Sequence, residues 1–148
     1  MGEYVGAEQV LTDVYVQQRL LSSAVELEAI SPGLSTRIYE EVAPSDARYP
    51  FIVWQCQSPP RDVRGVGTFR VMVDTLYIVK AVSQSVSYAP LAPVASVIDR
   101  AMTNPEGSNV GDSIVLTSVR NDQFSMRESA EGTEIRHLGG EYRIQAQG

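Results

Sequence analysis

The chain has 148 residues and a net charge of −6, and 43% of its residues are hydrophobic. This length suits a single domain with its own core, predicted to span residues 1–148, and the composition excludes a disordered tail. Cys56 and His137 are the only cysteine and histidine, which excludes an internal disulfide, a thiolate metal cage and most zinc sites.

The sequence lacks the features of a membrane protein and of a protein that binds duplex DNA. Residues 69–82 are the longest apolar candidate, but Asp74 and Lys80 interrupt them, and a spanning helix needs ~20 apolar residues. The first residues show no signal peptide. The negative charge disfavours DNA binding, because neutralising phosphates takes clustered cations. We expect a soluble protein made inside the cell, without a membrane partner.

The first predicted element is a helix over residues 7–27, ended by Ser31-Pro32-Gly33. Four aliphatic residues at helical spacing are predicted to form the stripe that faces the core: Val10, Val14, Leu21 and Val25. A short edge strand is expected over residues 37–42, before a turn at residues 43–46.

Strand signals follow. Large and β-branched residues dominate residues 51–56, and this strand is predicted to end at Pro59-Pro60, in a loop over residues 58–67. The longest strand signal runs over residues 68–82. One of its faces is predicted to be apolar: Phe69, Val71, Val73, Tyr77 and Val79. The other mixes charged and large apolar side chains: Arg70, Met72, Asp74, Leu76, Ile78 and Lys80. A mixed face of this kind indicates contact with another surface.

A second helix is predicted over residues 88–102. Ser87 is expected to cap it, and Pro90 suits its first turn, where a missing N–H is not needed. Its apolar stripe consists of Leu91, Val94, Ile98 and Met102. The spacing predicts that this stripe faces the sheet.

The last predicted elements are strands over residues 111–126 and 134–146, joined by the polar residues 127–133. The order of elements predicts an α+β fold: a mainly antiparallel sheet of four to five strands, two helices packed on one face, and a long C-terminal hairpin. A straight strand of fifteen residues would span ~50 Å, whereas a domain of this size is ~40 Å across. The long strands therefore either bend, for example at Gly139-Gly140, or project as an arm that packs on a neighbour.

The search for catalytic or cofactor motifs is negative. Gly65-Val66-Gly67 lacks the third glycine and the helix of a nucleotide-binding loop, and is more typical of a hairpin. His137 is expected to be a partly exposed sheet residue, and Cys56 a small core residue. Glu40 and Glu41 are neighbours in a strand and point to opposite faces, so they do not form a carboxylate pair. We predict no enzymatic activity, no cofactor and no metal.

A known family shares this arrangement of segments. The helix carries VYVQQRLLSSAVELEAI, and RIYEEVAPSDARYPFIVWQ then gives a strand, a polar turn, Tyr49-Pro50 and an apolar strand. FRVMVDTLYIV, PLAPVASVIDRAM and a closing strand pair follow. In these respects the chain resembles the tail-terminator, or tail-completion, proteins of the neck of tailed bacteriophages. The resemblance covers nearly the whole chain, but none of the matched residues is chemically diagnostic, and the final hairpin is long for the family.

The resemblance implies a structural virion protein. Such proteins form a six-membered ring that caps the tail tube and joins the tail to the head and neck, with DNA passing through the lumen. The implied partners are further copies of the chain, the tail tube protein and a neck or stopper protein. The implied location is the tail-neck region of the virion, after assembly in the host cytoplasm. An acidic chain suits such a lumen, because like charges disfavour contact with phosphates.

Ring and tube contacts are predicted on three loops, at residues 59–66, residues 83–87 and the tip of the last hairpin. The candidate interface residues are all charged: Arg61, Asp62, Arg64, Arg70, Asp74, Arg127, Glu128, Glu131 and Arg143. A ring needs head-to-tail interfaces between two different patches, for which a strand face with mixed charged and apolar residues is suitable.

Three alternatives stay open. Another neck component, such as a stopper or head-completion protein, would share the ring geometry. A nucleic-acid-binding α+β module would present a basic sheet face lined with aromatic residues. An enzyme built from scattered carboxylates would bind divalent metal ions tightly.

Overall fold

The computed structural model describes residues 7–64 and 70–147, apart from the side chains of Ala7, Glu8, Arg70, Val71 and Ala130. The helices and strands of these residues are, in chain order, α1 (Ala7–Leu21), α2 (Ala24–Ile30), β1 (Ile38–Glu40), β2 (Phe51–Arg64), β3 (Arg70–Gln84), α3 (Ala92–Met102), β4 (Ser108–Val110), β5 (Ser113–Ala130) and β6 (Thr133–Gln147). Short 3₁₀ turns lie at Leu34–Thr36 and Ala89–Leu91.

The strands form one mixed sheet in the order β1-β2-β3-β6-β5-β4. Only β1 runs parallel to its neighbour, and all the other pairs are antiparallel. The predicted α+β class and the short edge strand are confirmed. The described residues contain six strands and three α-helices rather than four to five strands and two helices. The added elements are short: β4 has three residues, and the predicted first helix is divided in two.

The core lies between the helices and one face of the sheet. Its largest fully buried side chains include Tyr15 and Leu20 of α1, Tyr77 of β3, Tyr142 of β6 and Ile98 of α3. A second, smaller cluster lies on the opposite face of the sheet, where Phe51, Val53 and Val82 pack together. We call this opposite face the open sheet face, because no described helix covers it.

The predicted core stripe of the first helix is wrong. Val10, Val14, Leu21 and Val25 are exposed to 62%, 41%, 49% and 83%. The residues that face the core are instead Tyr15, Val16, Leu20 and Leu27. Apolar residues occur on both sides of this helix, so the spacing alone allowed either side to face the core. The side with the larger side chains is the one that is buried. The helix also breaks at Ser22 and Ser23, where the Ser22 hydroxyl donates to the Arg19 carbonyl at 2.7 Å.

The predicted loop at residues 58–67 is wrong as far as it is described, because β2 continues through Pro59 and Pro60 to Arg64. Its pairing with β3 shifts between Cys56 and Ser58 and again between Ser58 and Arg61, so the prolines lie at an irregularity. Described β1 residues pair only with residues 52–54, which leaves this part of β2 as the outer strand. A missing N–H is tolerated at such a position. Gly65-Val66-Gly67 lies outside the described residues.

The predicted division of β3 into two faces is confirmed for its described side chains. Val73, Tyr77 and Val79 are buried in the main core, whereas Asp74 and Lys80 lie on the open sheet face. Phe69 and the side chains of Arg70 and Val71 lie outside the described residues. The mixed face is largely shielded, since Asp74 and Ile78 are both 7% exposed.

Helix α3 follows the predicted stripe, with Leu91, Val94, Ile98 and Met102 all buried. The predicted cap is wrong. The helical segment begins with a 3₁₀ turn whose N-cap is Tyr88, and no side chain caps it. The hydroxyl of Ser85 donates to the Ser87 carbonyl at 2.8 Å, which keeps Ser87 outside the helix.

The C-terminal hairpin is longer than predicted, because β5 and β6 continue to a two-residue turn at Glu131 and Gly132. These residues have φ values of 52° and 80°, as a type I′ turn requires. Strand β3 pairs with β6 from Ile135 to Ala146, so the hairpin lies within the sheet over most of its length. Two register shifts in β5 and a close approach at Gly139 accommodate the long strands.

Candidate interaction surfaces

The predicted interface residues lie at two opposite ends of the sheet. Strand register places Arg61, Asp74 and Arg143 at one end, with Asp62 and Arg64 beside them. Arg70 begins β3 at the same end, but its side chain is outside the description. Arg127, Glu128 and Glu131 lie at the hairpin tip, at the other end. The structure therefore supports two separate charged clusters rather than one site.

The first cluster surrounds a buried carboxylate on the open sheet face. Asp74 Oδ2 lies 3.2 Å from Arg61 Nη2, and Asp74 Oδ1 lies 3.4 Å from Arg143 Nε. The Asp74 side chain is 8% exposed, whereas those of Arg61 and Arg143 are 74% and 43% exposed. A cavity of about 180 Å³ opens between them. One carboxylate between two outward-facing guanidinium groups leaves a net positive charge at the surface.

Neighbouring side chains make this end partly apolar. Met72 and Leu76 are half-buried on the same face of β3 as Asp74. On β2, Asp62 and Arg64 form an exposed ion pair at 3.1 Å, but Asp62 lies opposite Val73 and therefore on the other side of the sheet. The open sheet face thus combines apolar side chains with paired charges, as its sequence predicted. We call the group of Arg61, Met72, Asp74, Leu76 and Arg143 the Arg61–Arg143 patch.

The second cluster contains a close histidine–carboxylate contact that the sequence did not reveal. His137 Nε2 lies 2.7 Å from Glu128 Oε1. The prediction of a partly exposed histidine is wrong, because His137 is 7% exposed and lies on the open sheet face. Burial lowers the pKa of His137, and the charge of Lys80 lowers it further, while Glu128 acts in the opposite direction. Nothing in the local sequence of β6 indicated that Glu128 would lie directly beside it.

Two of the predicted contact loops meet at the hairpin tip. The Ser85 N–H donates to the Glu134 carbonyl at 3.1 Å, and Arg136 donates to the Val86 carbonyl at 2.9 Å. Arg127 lies 3.8 Å from Glu134, and Glu131 occupies the turn. Residues 83–87 and the tip therefore form one polar surface, which sequence spacing did not predict.

Cys56 and Asp13 are two titratable groups at the margin of the core. Burial raises the pKa of Cys56, whose thiol donates to the Ser58 carbonyl at 3.3 Å. Burial also raises the pKa of Asp13, although its hydrogen bond with the Tyr77 hydroxyl opposes this. Within residues 7–64 and 70–147, no cluster of three or more His, Cys, Asp or Glu side chains is placed to hold a metal ion. In the same part of the chain, no helix has the length and apolar character needed to cross a bilayer.

Sequence reasoning also missed a groove beside α3. A cavity of about 520 Å³ lies between α3 and β5, with Ala92, Ala95 and Ser96 on one wall and Gln123 and Ser125 on the other. At its end, Asp99 accepts a hydrogen bond from the Tyr142 hydroxyl at 3.0 Å and lies 3.4 Å from Arg120. Asp99 thus connects α3 with β6 and β5 at this end of the groove.

The most exposed apolar surface is the stripe predicted to be core. Val10 and Val14 of α1, Leu21 at its end and Val25 of α2 all point away from the sheet. We call these four residues the α1–α2 stripe. A surface helix normally carries polar residues on its outer side, so four exposed aliphatic residues on α1 and α2 are unusual.

Comparisons with known proteins show the fold. No protein-family profile and no curated protein sequence matches the chain. Among solved structures, a chain from the virion of a native gene transfer agent particle superposes with a TM-score of 0.64 at 15% identity, covering 90% of this chain and 92% of that one. A second solved protein, known by a sequence identifier, superposes with a TM-score of 0.59 at 14% identity, covering 97% and 98%. The fold therefore occurs, almost end to end, in a virion particle.

Proposed function

We propose that this protein is a structural component of a phage-like virion. In this proposal, copies of the chain form a hexameric ring that caps the tail tube and joins the tail to the head and neck. The observation that carries the proposal is the fold likeness to a chain of a gene transfer agent virion, with a TM-score of 0.64 over 90% of this chain. The resemblance of the sequence to tail-terminator proteins supplies the place within the particle.

The surface chemistry supports an assembling protein. The α1–α2 stripe and the Arg61–Arg143 patch lie on opposite faces of the molecule, so a head-to-tail contact has two different surfaces available. Such contacts generate rings when the rotation between copies closes. The net charge of −6 suits a lumen that DNA passes without adhering. The proposed partners are therefore other copies, the tail tube protein and a neck or stopper protein.

A second neck component is the alternative to a terminator. A stopper or head-completion protein would use the same ring, and the fold likeness supports either one. A nucleic-acid-binding module is less well supported, because the chain carries a net charge of −6 and phosphate binding takes clustered cations. The proposal includes no enzymatic activity.

Mass photometry of the purified chain over a range of concentrations, with negative-stain images of the same samples, tests the ring. We expect a species of about 97 kDa, six times the 16.2 kDa of the chain, with a central hole in the images. A closed dimer or another compact species without a hole would contradict the proposal.

Purified tail tubes then distinguish the terminator from another neck component. We expect the chain to cap one end of each tube and to leave free phage-like heads undecorated. Decoration of heads alone would favour the stopper or head-completion role. Because assembly on the tube end is a template effect, this experiment also applies to a chain that remains monomeric alone.

A further inference from the structure

We infer that the α1–α2 stripe of one copy docks on the Arg61–Arg143 patch of the next copy. The inference rests on the proposed ring and names its subunit interface. The occupant of both surfaces is a second copy of this chain, because each surface supplies what the other lacks. Four observations lead to this assignment.

The first observation is the exposure of the stripe. Val25 and Val10 are 83% and 62% exposed, and Leu21 and Val14 are 49% and 41% exposed. Val10 and Val14 lie one turn apart on α1, Leu21 lies about two turns further on, and Val25 lies on α2 beyond the break at Ser22 and Ser23. Their burial would remove a large aliphatic surface from water without displacing any core residue.

The second observation is the charge beside the stripe. Helix α2 carries Glu26 and Glu28 within its seven residues and no basic residue. Glu26 lies 2.7 Å from Arg100 of α3, and its side chain is still 53% exposed. Arg19 of α1 turns inward, where its Nε donates to the Ala101 carbonyl at 2.7 Å. The Glu28 carboxylate accepts hydrogen bonds from the Gly33 and Ser35 N–H groups, so Glu26 is the acidic group of α2 available beside the aliphatic residues. A partner that is both apolar and basic complements this side of α2.

The third observation is the chemistry of the Arg61–Arg143 patch. Two guanidinium groups face outward around one buried carboxylate, and Met72 and Leu76 lie beside them, half-buried. Asp74 Oδ1 and Arg143 Nε are buried and lack a hydrogen-bond partner among the described residues, although they lie 3.4 Å apart as an ion pair. An incoming carboxylate would satisfy the guanidinium groups, because arginine donates two parallel hydrogen bonds to such a group.

The fourth observation is the placement of the two surfaces. The helices cover one face of the sheet, and Asp74 projects from the opposite face of β3. Surfaces on opposite faces cannot meet within one molecule or in a two-fold dimer of the stripe with itself. They meet when copies are arranged head to tail, with each helical layer placed on the open sheet face of the next copy.

Two variants, each defective in one surface, test the inference. V10E/V25E places charges on the two most exposed stripe positions, and R61E reverses one guanidinium while Arg143 remains beside Asp74. Each variant alone is expected to associate about 30-fold more weakly than the wild type, as for loss of a central interface residue. V42E is the matched control, because Val42 is 78% exposed and belongs to neither surface.

Mixing the two variants gives the decisive measurement. V10E/V25E retains an intact patch and R61E an intact stripe, so an equimolar mixture should form a 1:1 dimer and nothing larger in mass photometry. Circular dichroism of each variant verifies that it is folded. If both variants form rings like the wild type, or if the mixture stays monomeric while each folded variant is defective, the inference is wrong.

The outcomes separate the inference from the proposed ring. Wild-type rings that persist in both variants overturn the interface and leave the ring intact. Suppose instead that the wild type forms open chains without a hole, that each variant disrupts them, and that the mixture of variants forms a dimer. These results would support the interface and contradict the ring. A wild type that is monomeric at every concentration overturns the interface in solution, while tail-tube capping still tests the proposed function.

Discussion

At the scale of single residues, the most informative group is the carboxylate of Asp74, which is buried on the open sheet face. Asp74 is 8% exposed and depends on two arginines whose charged ends reach solvent. A buried charge without a partner costs much more than a missing ion pair between solvated groups. Removing the two arginines should therefore destabilise the fold more than neutralising the carboxylate, because only the first change leaves a buried charge without a partner.

This asymmetry predicts an order of stabilities. R61A/R143A should lower the free energy of unfolding by about 2–4 kcal/mol, because Asp74 stays buried without a cation. D74N should cost only about 0.5–1.5 kcal/mol. Adding D74N to R61A/R143A should restore part of the loss. Urea unfolding at concentrations where the chain is monomeric measures all three, and a triple variant less stable than the double variant would refute the explanation.

His137 gives the molecule a dependence on pH. Burial and Lys80 hold its pKa below the ordinary value of 6.5, so the unfolded chain binds the proton more readily than the folded chain. The neutral imidazole thus stabilises the fold above pH 6.5, and this contribution is lost as the pH falls through the lowered pKa. H137Q should remove that part of the pH dependence.

A second substitution controls for the direction of the effect. Glu128 favours the protonated imidazole, so E128Q should make the loss of stability below pH 6.5 steeper than in the wild type. The measurement is the midpoint of urea unfolding between pH 5 and pH 8 for the wild type, H137Q and E128Q. An H137Q profile parallel to that of the wild type would contradict the assignment.

At the scale of elements, glycine and bulges let long strands share one sheet. A Cβ on Gly139 would lie 2.1 Å from the Val79 carbonyl oxygen on the neighbouring strand. A Cβ on Gly140 would instead lie 2.9 Å from the ring of Tyr142, a side chain. The backbone of β3 cannot move away without breaking its ladder with β6, whereas a ring can shift by a few tenths of an ångström.

We therefore expect the two glycines to differ. G139A should destabilise the fold by about 2–3 kcal/mol and G140A by about 1 kcal/mol, as for overpacking at rigid and adaptable sites. Thermal unfolding followed by circular dichroism compares them directly. Equal losses would indicate that the β3–β6 approach is not the constraint.

The same scale explains which elements the sequence predicted. Strand faces were predictable in β3, because alternation has only one phase in which Val73 and Tyr77 face the helices and Asp74 faces the opposite side. Passage of β2 through Pro59 and Pro60 was not predictable, because among the described residues no strand pairs with β2 on the outer side there, and pairing is a long-range property. The orientation of α1 was not predictable either, since apolar residues occupy more than one of its sides.

At the scale of the whole molecule, the sequence named charged residues but not their partners. Arg61, Asp74 and Arg143 were all predicted as interface residues, yet they come from three strands and meet only through the register of β2, β3 and β6. The two ends of the sheet could not be distinguished from sequence, and loops predicted as separate contacts converge at the hairpin tip. The local sequence pattern thus indicated candidate interface residues, whereas the pairing of strands determined which of them lie next to one another.

The orientation of α1 also matters at the scale of the whole molecule. The sequence predicted Val10, Val14, Leu21 and Val25 to face the core, and the structure instead exposes all four. In the inferred interface this stripe is buried by the next copy, which would account for its apolar character. One side of α1 therefore packs in the core of the protomer, and the opposite side is proposed to contact the next copy.

The only tryptophan of the chain lies on β2, beneath the side of α1 that faces the sheet. Trp54 is 3% exposed, and its Nε1 donates to Gln17 of α1 at 2.9 Å. Indole emission depends on the polarity around the ring, so this chain has an intrinsic optical reporter beneath the helix whose outer side carries the stripe. Lifting of α1 from the sheet would shift the emission to the red while the strands still give their circular dichroism signal. Docking of another copy on the outer side would leave the colour unchanged.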